Sequence, residues 1–213
     1  MVFSLVRRHC IATAVLLASV GVCAAATSPQ QTILVVGDSL SAEYGLKRGS
    51  GWVALLGKRI QDSGKSVTVV NASISGDTTA GGASRLPALL AQHKPTHVII
   101  ELGGNDALRG LPVTTTQTNL NRMTQMALQA KARVLLLGMA VPPNYGADYA
   151  EQFSQTFVKV ARSNRVALVP FFLKGVADVP QADTLFQSDH IHPTEQAHPI
   201  MLDNVWRELQ KLL

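Results

Sequence analysis

The chain has 213 residues, 46% of them hydrophobic and 15% charged, with a formal net charge of +5. That length suits one well-packed domain rather than two. The Lys and Arg residues are scattered along the chain instead of clustered, which excludes a nucleic-acid-binding surface.

Residues 1–26 read as a secretory signal peptide. Arg7 and Arg8 precede an apolar run from Ile11 to Val22, and Ala24-Ala25-Ala26 offers a small-residue cleavage site. The run is about 12 residues long, against the roughly 20 that span a bilayer, so a retained anchor is the weaker reading. Cys23 raises a lipoprotein possibility, but it follows Val22 where a small residue is expected. Cleavage after Ala26 removes both cysteines, Cys10 and Cys23, and leaves 17 basic against 14 acidic residues in 27–213. The mature domain is therefore expected in the periplasm or outside the cell, without disulfides, without stable membrane insertion and as a monomer held by its core.

From residue 32 onward, short β-branched runs alternate with longer amphipathic stretches. Strands are predicted over 32–36, 67–71, 97–102, 133–137 and 167–169, and helices over 52–62, 82–92, 116–130, 149–163 and 193–212. The strands are nearly continuous apolar runs, the mark of a parallel sheet covered by helices on both faces. Pro87 should kink or begin the second helix, which would move its start to Arg85 or Leu86. The stretch 140–147 around Pro142-Pro143-Asn144 reads as a loop. Pro193 lacks an N–H to lose and suits the first turn of the last helix.

Polar, glycine-rich chemistry follows the first three strands at their carboxyl ends: Gly37-Asp38-Ser39, then Asn71-Ala72-Ser73-Ile74-Ser75-Gly76-Asp77, then Gly103-Gly104-Asn105-Asp106. Open α/β sheets bind ligands at that edge. A serine hydroxyl needs an imidazole to take its proton and a carboxylate to fix that imidazole, and Asp189-His190-Ile191-His192-Pro193 supplies both. Each part also has a plainer explanation. Gly-Asp-Ser is an ordinary turn, Asp189 could cap the last helix, and Gly76 could be a turn residue. His190 competes with His192 for the base role, and the two with Asp183 or Asp189 could be read as metal ligands, although no further His or Cys cluster supports a metal. Oxyanion donors could come from the backbone near Gly76 and from the Asn105 amide. The motif is not the Gly-x-Ser-x-Gly elbow of α/β-hydrolases.

These residues carry a resemblance. Gly37-Asp38-Ser39-Leu40 resembles the first block of the GDSL, or SGNH, hydrolases; Gly76 matches the second, Gly103-Gly104-Asn105-Asp106 the third, and Asp189-x-x-His192 the last. The similarity continues through 71–78, 85–90, 101–106 and Pro142-x-Asn144-Tyr145-Gly146, and covers essentially the whole of 27–213. The resemblance implies a flavodoxin-like three-layer α/β/α sandwich whose five-stranded parallel sheet has the order 2-1-3-4-5. It implies a cofactor-free serine hydrolase acting on small acyl esters, thioesters or lysophospholipids, with Ser39 as nucleophile, His192 as base then acid, and Asp189 orienting it. Backbone amides of Ser39 and Gly76 and the Asn105 side chain would form the oxyanion hole, and Asp38 would shape the turn. Leu40, Gly104, Leu108, Met139, Val141 and Ile191 are candidate substrate contacts. Residues 107–112 resemble a mobile loop of such enzymes that responds to acyl chains. His190 stands where members of the family often carry glycine. An acetyl esterase of the same superfamily and a non-catalytic lipid-binding module are the alternatives.

Overall fold

The computed structural model describes Met1 and residues 30–213, so the expected signal peptide and its cysteines lie outside the described residues. Five strands form one parallel sheet: β1 (Gln31–Gly37), β2 (Val67–Asn71), β3 (His97–Glu101), β4 (Arg133–Leu137) and β5 (Ala167–Val169), in the order β2-β1-β3-β4-β5. Ile33 to Val36 of β1 are fully buried, as are all five positions of β3, as continuous apolar runs between two helical layers require. The helices are α1 (Trp52–Asp62), α2 (Thr79–His93), α3 (Gly104–Leu108), α4 (Val113–Gln129), α5 (Ala147–Asn164) and α6 (His198–Leu209). Helices α1 and α6 pack together on one face, while α2, α4 and α5 form a contiguous layer on the other. The expected sandwich and strand order are present.

The chain leaves β1 towards one side and, after β2, returns to β3 by the other. That reversal opens a crevice at the carboxyl ends of β1 and β3, where the ligand site of an open sheet belongs. Gly37, at the end of β1, meets Glu101, at the end of β3, in register. A Cβ on Gly37 would lie 2.7 Å from Glu101 Oε2 and 2.8 Å from Ser41 Oγ, so only glycine lets the chain turn there.

Several helix boundaries differ from expectation, among them the start of α4 at Val113 instead of 116 and the end of α6 at Leu209 instead of 212. Helix α2 starts at Thr79, capped by the Thr78 side chain accepting from the Gly81 N–H, and continues through Pro87 without breaking. Pro87 is exposed, so its ring lies on the solvent side of α2 and the cost is the one bond its missing N–H would have made to Ala83. The last helix does not begin at Pro193. That residue pairs with Phe186 in an antiparallel bridge, reinforced by Thr194 N–H donating to the Leu185 carbonyl, and α6 begins at His198 with Pro199 in its first turn. Residues 140–147, expected as loop, contain a 3-10 turn at Pro143–Tyr145 and already enter α5 at Ala147.

The imidazole of His198 joins the α1 and α6 layer. Its Nδ1 accepts a hydrogen bond from the Trp52 N–H at 3.0 Å, at the start of α1. Burial pushes His198 down to about pKa 4. The unfolded chain therefore binds a proton between pH 6.5 and 4 that the folded chain refuses, so this group's stabilisation falls as pH drops through that window. Compared with His198→Gln, which keeps an acceptor but cannot titrate, the wild type is expected to lose up to about 3 kcal/mol more from pH 7 to pH 4. Urea melts of both proteins across that range check it; parallel pH profiles would contradict the assignment.

Candidate active site

The turn after β1 builds the position of Ser39. Asp38 Oδ1 accepts from the Leu40 N–H at 3.0 Å, and the Asp38 carbonyl accepts from the Ser41 and Ala42 N–H groups at 3.2 and 2.9 Å. This tight turn leaves Ser39 half-buried at the sheet's edge. His192 Nε2 lies 2.9 Å from Ser39 Oγ, across 153 positions of sequence.

The loop 186–194 brings the imidazole there. Gln187 N–H donates to the His192 carbonyl at 2.8 Å, and the Gln187 side chain donates to the Tyr44 and Pro193 carbonyls, tying this loop to the one after Ser39. Asp189 folds back over the ring: its Oδ1 accepts from the Ile191 and His192 N–H groups at 3.0 Å each, and its Oδ2 is 2.6 Å from His192 Nδ1. Those bonds, led by the His192 N–H, hold Asp189 down at about pKa 2. An ionised carboxylate only accepts, so the ring proton sits on Nδ1 and the Nε2 lone pair faces the Ser39 hydroxyl. The Tyr44 ring rests on the imidazole with centroids 4.2 Å apart and limits its rotation. His190 points elsewhere, its Nδ1 4.0 Å from Asp183, and it is His192 that meets serine. His190 has φ +55, which gives a physical reason for glycine to suit that position.

Other polar groups at this edge of the sheet follow β2 and β3. Among the described residues, neither Ser39 N–H nor Gly76 N–H donates to the chain. The loop after β2 is held against β1 by the Ile74 N–H donating to the Gly37 carbonyl at 3.0 Å, and Gly76 adopts φ +78, which a side chain would resist. Arg109 donates to the Gly76 carbonyl at 2.8 Å. Asn105 stands in the short helix α3 and donates one side-chain N–H to Asp38 Oδ2 at 3.0 Å, which leaves the second N–H free. Asp106, next to it, is buried and accepts from the Thr79 N–H at 2.8 Å and from the Thr79 and Thr116 hydroxyls, fixing α3 to α2.

Several groups beneath the site are not singled out by motif. Glu101 is fully buried; its Oε2 accepts from the Ser41 hydroxyl at 2.7 Å and from the Asp38 N–H at 3.3 Å, while Oε1 has no partner. Trp52 Nε1 donates to Ser41 Oγ at 3.1 Å. Burial, with the Asp38 charge beside it, pushes Glu101 well above the usual carboxylate range, and burial raises Asp38 to about 6. Arg85 bonds Asp77 at 2.8 Å and donates to the Ala72 and Gly37 carbonyls, which clamps the loop after β2 to the end of β1. A carboxyl closing an otherwise apolar strand is the one signal that could have flagged Glu101.

Of the candidate substrate contacts, Leu108, at the end of α3 behind Asn105, and Ile191, beside His192, are exposed, 50% and 45%. Val141 is half-buried. Leu40 and Met139 belong to the core, and the Met139 methyl lies 3.7 Å from where a Gly104 Cβ would stand.

A serine hydroxyl, imidazole and carboxylate in one hydrogen-bonded relay, at the topological switch of a five-stranded parallel α/β/α sheet, define the class as a serine hydrolase of the flavodoxin-like type. Residues 35–200 match the GDSL-like Lipase/Acylhydrolase family. The chain is 56% identical to Esterase TesA of Pseudomonas aeruginosa over 183 residues, 86% of this chain and 90% of that one. It is 44% identical to Thioesterase 1/protease 1/lysophospholipase L1 of Escherichia coli K12 over 182 residues, 85% of each chain. The crystal structure of the psychrotrophic esterase EstA from Pseudoalteromonas sp., inhibited by monoethylphosphonate, superposes with a TM-score of 0.80 at 40% identity, covering 85% of this chain and 98% of that one. The chain belongs to the GDSL-like lipase/acylhydrolase family and is an ester hydrolase acting on small-molecule esters.

Proposed function

We propose that Ser39 Oγ attacks the acyl carbonyl of oxygen esters, thioesters and lysophospholipids while His192 Nε2 takes its proton. The observation that carries this reading is the relay from Ser39 to His192 at 2.9 Å and on to Asp189 at 2.6 Å. The carbonyl oxygen, now negative, accepts from the Ser39 and Gly76 amides and from the free Asn105 N–H. Collapse expels the alcohol or thiol, which takes the proton from His192, and leaves an acyl ester on Ser39. Water then gives a proton to His192 and attacks the acyl carbon; the bond from Ser39 Oγ to the acyl carbon breaks, Ser39 takes the proton back from His192, and the carboxylic acid leaves. Asp189 stays ionised throughout and keeps the ring in one tautomer. Leu108, Ile191, Gly104 and Val141 guide the acyl chain, with Leu40 and Met139 beneath them. The names of the relatives support the breadth of leaving groups: esterase in one case and thioesterase and lysophospholipase in another. Residues 1–26 act as an export signal, and the enzyme works in the cell envelope, where oxygen esters are the accessible substrates.

A fluorophosphonate probe tests the nucleophile, since EstA was captured with a phosphonate inhibitor. Mass spectrometry is expected to place the adduct on Ser39 in the peptide that follows β1. A kcat/KM profile over acyl chains of increasing length, with ester and thioester leaving groups compared, tests the substrate class. Preference for acetyl groups on a polysaccharide over any medium-chain ester would redirect the reading to an acetyl esterase.

A further inference from the structure

Five large hydrophobic side chains of residues 30–213 are exposed, and four of them stand on the loops that carry the site. Tyr44 follows Ser39 and rests on His192; Ile74 precedes Gly76; Leu108 follows Asn105; Ile191 adjoins His192. Soluble monomers rarely gather apolar groups in this way, and a contiguous patch of them marks a contact surface. An acyl groove accounts for Leu108 and Ile191. It does not account for Ile74, 54% exposed two residues before Gly76.

The charges on the same four loops are sorted by sign. Every carboxylate in 38–51, 72–78, 103–112 and 186–194 is bonded within the chain, and of these Asp189 is the exposed one. Asp38 and Asp106 are buried, Glu43 accepts from the Gly49 and Gly51 N–H groups, Asp77 pairs with Arg85, and Asp189 holds His192. The cations face out. Lys47, Arg48 and Arg109 are exposed, and among the described residues none of the three is paired with a carboxylate. Asp183, beside His190, and Glu195, directly after the fourth segment, are exposed acids just outside it. The segments around Ser39 therefore carry exposed apolar side chains with unpaired cations beside them, while their own exposed acid, Asp189, is tied to His192.

We propose that this face docks on an anionic lipid surface, with Ile74, Leu108, Ile191 and Tyr44 entering the interface and Lys47, Arg48 and Arg109 meeting the headgroup charge. Apolar side chains flanked by cations bind such surfaces by adding apolar burial to electrostatic attraction. Docking in this orientation sets the mouth of the site against the lipid, so a single-chain lipid enters from the aggregate without its acyl chain crossing water. The proposal deepens the reading of the chain as an acyl-ester hydrolase and rests on it for its purpose, although docking itself requires no catalysis.

The test uses residues 27–213 carrying Ser39→Ala, so that binding is read without turnover. Vesicles of phosphatidylcholine containing one-third phosphatidylglycerol are compared with phosphatidylcholine alone by cosedimentation. The protein is expected to pellet with the anionic vesicles at low salt, and to be released as screening shortens the range of the attraction. Lys47→Glu combined with Arg48→Glu is expected to weaken partitioning at least twentyfold, about fivefold for each cation lost. Ile74→Ser is expected to weaken it severalfold while leaving kcat/KM unchanged on soluble p-nitrophenyl acetate in the Ser39-containing enzyme. No pelleting, or pelleting indifferent to these substitutions, overturns the proposal. A dimer in sedimentation equilibrium that Ile74→Ser dissociates also overturns it, by assigning the face to a second copy. Hydrolysis retained by Ser39→Ala would sink the proposed mechanism instead, and would leave the vesicle result standing.

Discussion

Ser39→Ala is expected to lower kcat for p-nitrophenyl butyrate by about a million-fold, the scale seen when a serine nucleophile that works as part of a relay is removed. The hydroxyl is the group at hydrogen-bond distance from His192 Nε2, and on the proposed mechanism it carries the acyl group. What should survive is the small rate enhancement from binding and from the oxyanion donors, on the order of 10³ to 10⁴ over water. Stability should change by about 1 kcal/mol or less, since Ser39 is half-buried and loses one hydrogen bond. The comparison that decides is the double variant. If Ser39 and His192 act as one unit, Ser39→Ala with His192→Ala is expected to be no slower than Ser39→Ala alone. Multiplying effects would mean that His192 acts on something other than the serine proton. Initial rates with active-site titration, and circular dichroism to confirm folding, settle both points.

Much of this arrangement is legible in the sequence because its signals are local. Apolar runs ending in Gly-Asp-Ser or Gly-Gly-Asn mark buried strands and the polar turns after them, and all five strands are found within one residue of their expected ends. The spacing of Asp189 and His192 is legible for the same reason, since a turn of three residues lets the carboxylate reach both backbone N–H groups and the ring. What is not legible depends on distant contacts. Pro193 has the local chemistry of a helix start, but its pairing with Phe186 outweighs that preference and delays α6 to His198. Pro87 reads as a helix boundary, yet its exposed position makes an unbroken α2 cheap. The polar groups under the nucleophile bridge wide gaps in sequence: 67 positions from Asn105 to Asp38 and 60 from Ser41 to Glu101. Only the pairing of β1 with β3 makes these residues neighbours, and no periodicity announces it.

Asn105→Ala is expected to lower kcat about 100- to 1000-fold with KM nearly unchanged, because the negative oxygen it serves exists only in the transition state. On the proposed mechanism, the large effect follows from how this side chain is held. Asp38 Oδ2 takes one Asn105 N–H at 3.0 Å and so restrains the plane of the amide, which leaves the other N–H without a partner among the described residues before substrate arrives. The donor therefore costs no reorganisation when charge develops. Asn105→Asp separates this role from space-filling. The substituted carboxylate keeps the shape but removes both N–H groups and places a second acid against Asp38, which burial already raises to about 6. It would also face the developing oxyanion with like charge or, when protonated, with at most one donor. The expected order of kcat is wild type, then Asn105→Ala, then Asn105→Asp at neutral pH, with the last recovering partly as the pH is lowered and the acid pair protonates. If Asn105→Asp matched the wild type, the residue would be there for its shape alone, and the amides of Ser39 and Gly76 would have to hold the oxyanion unaided.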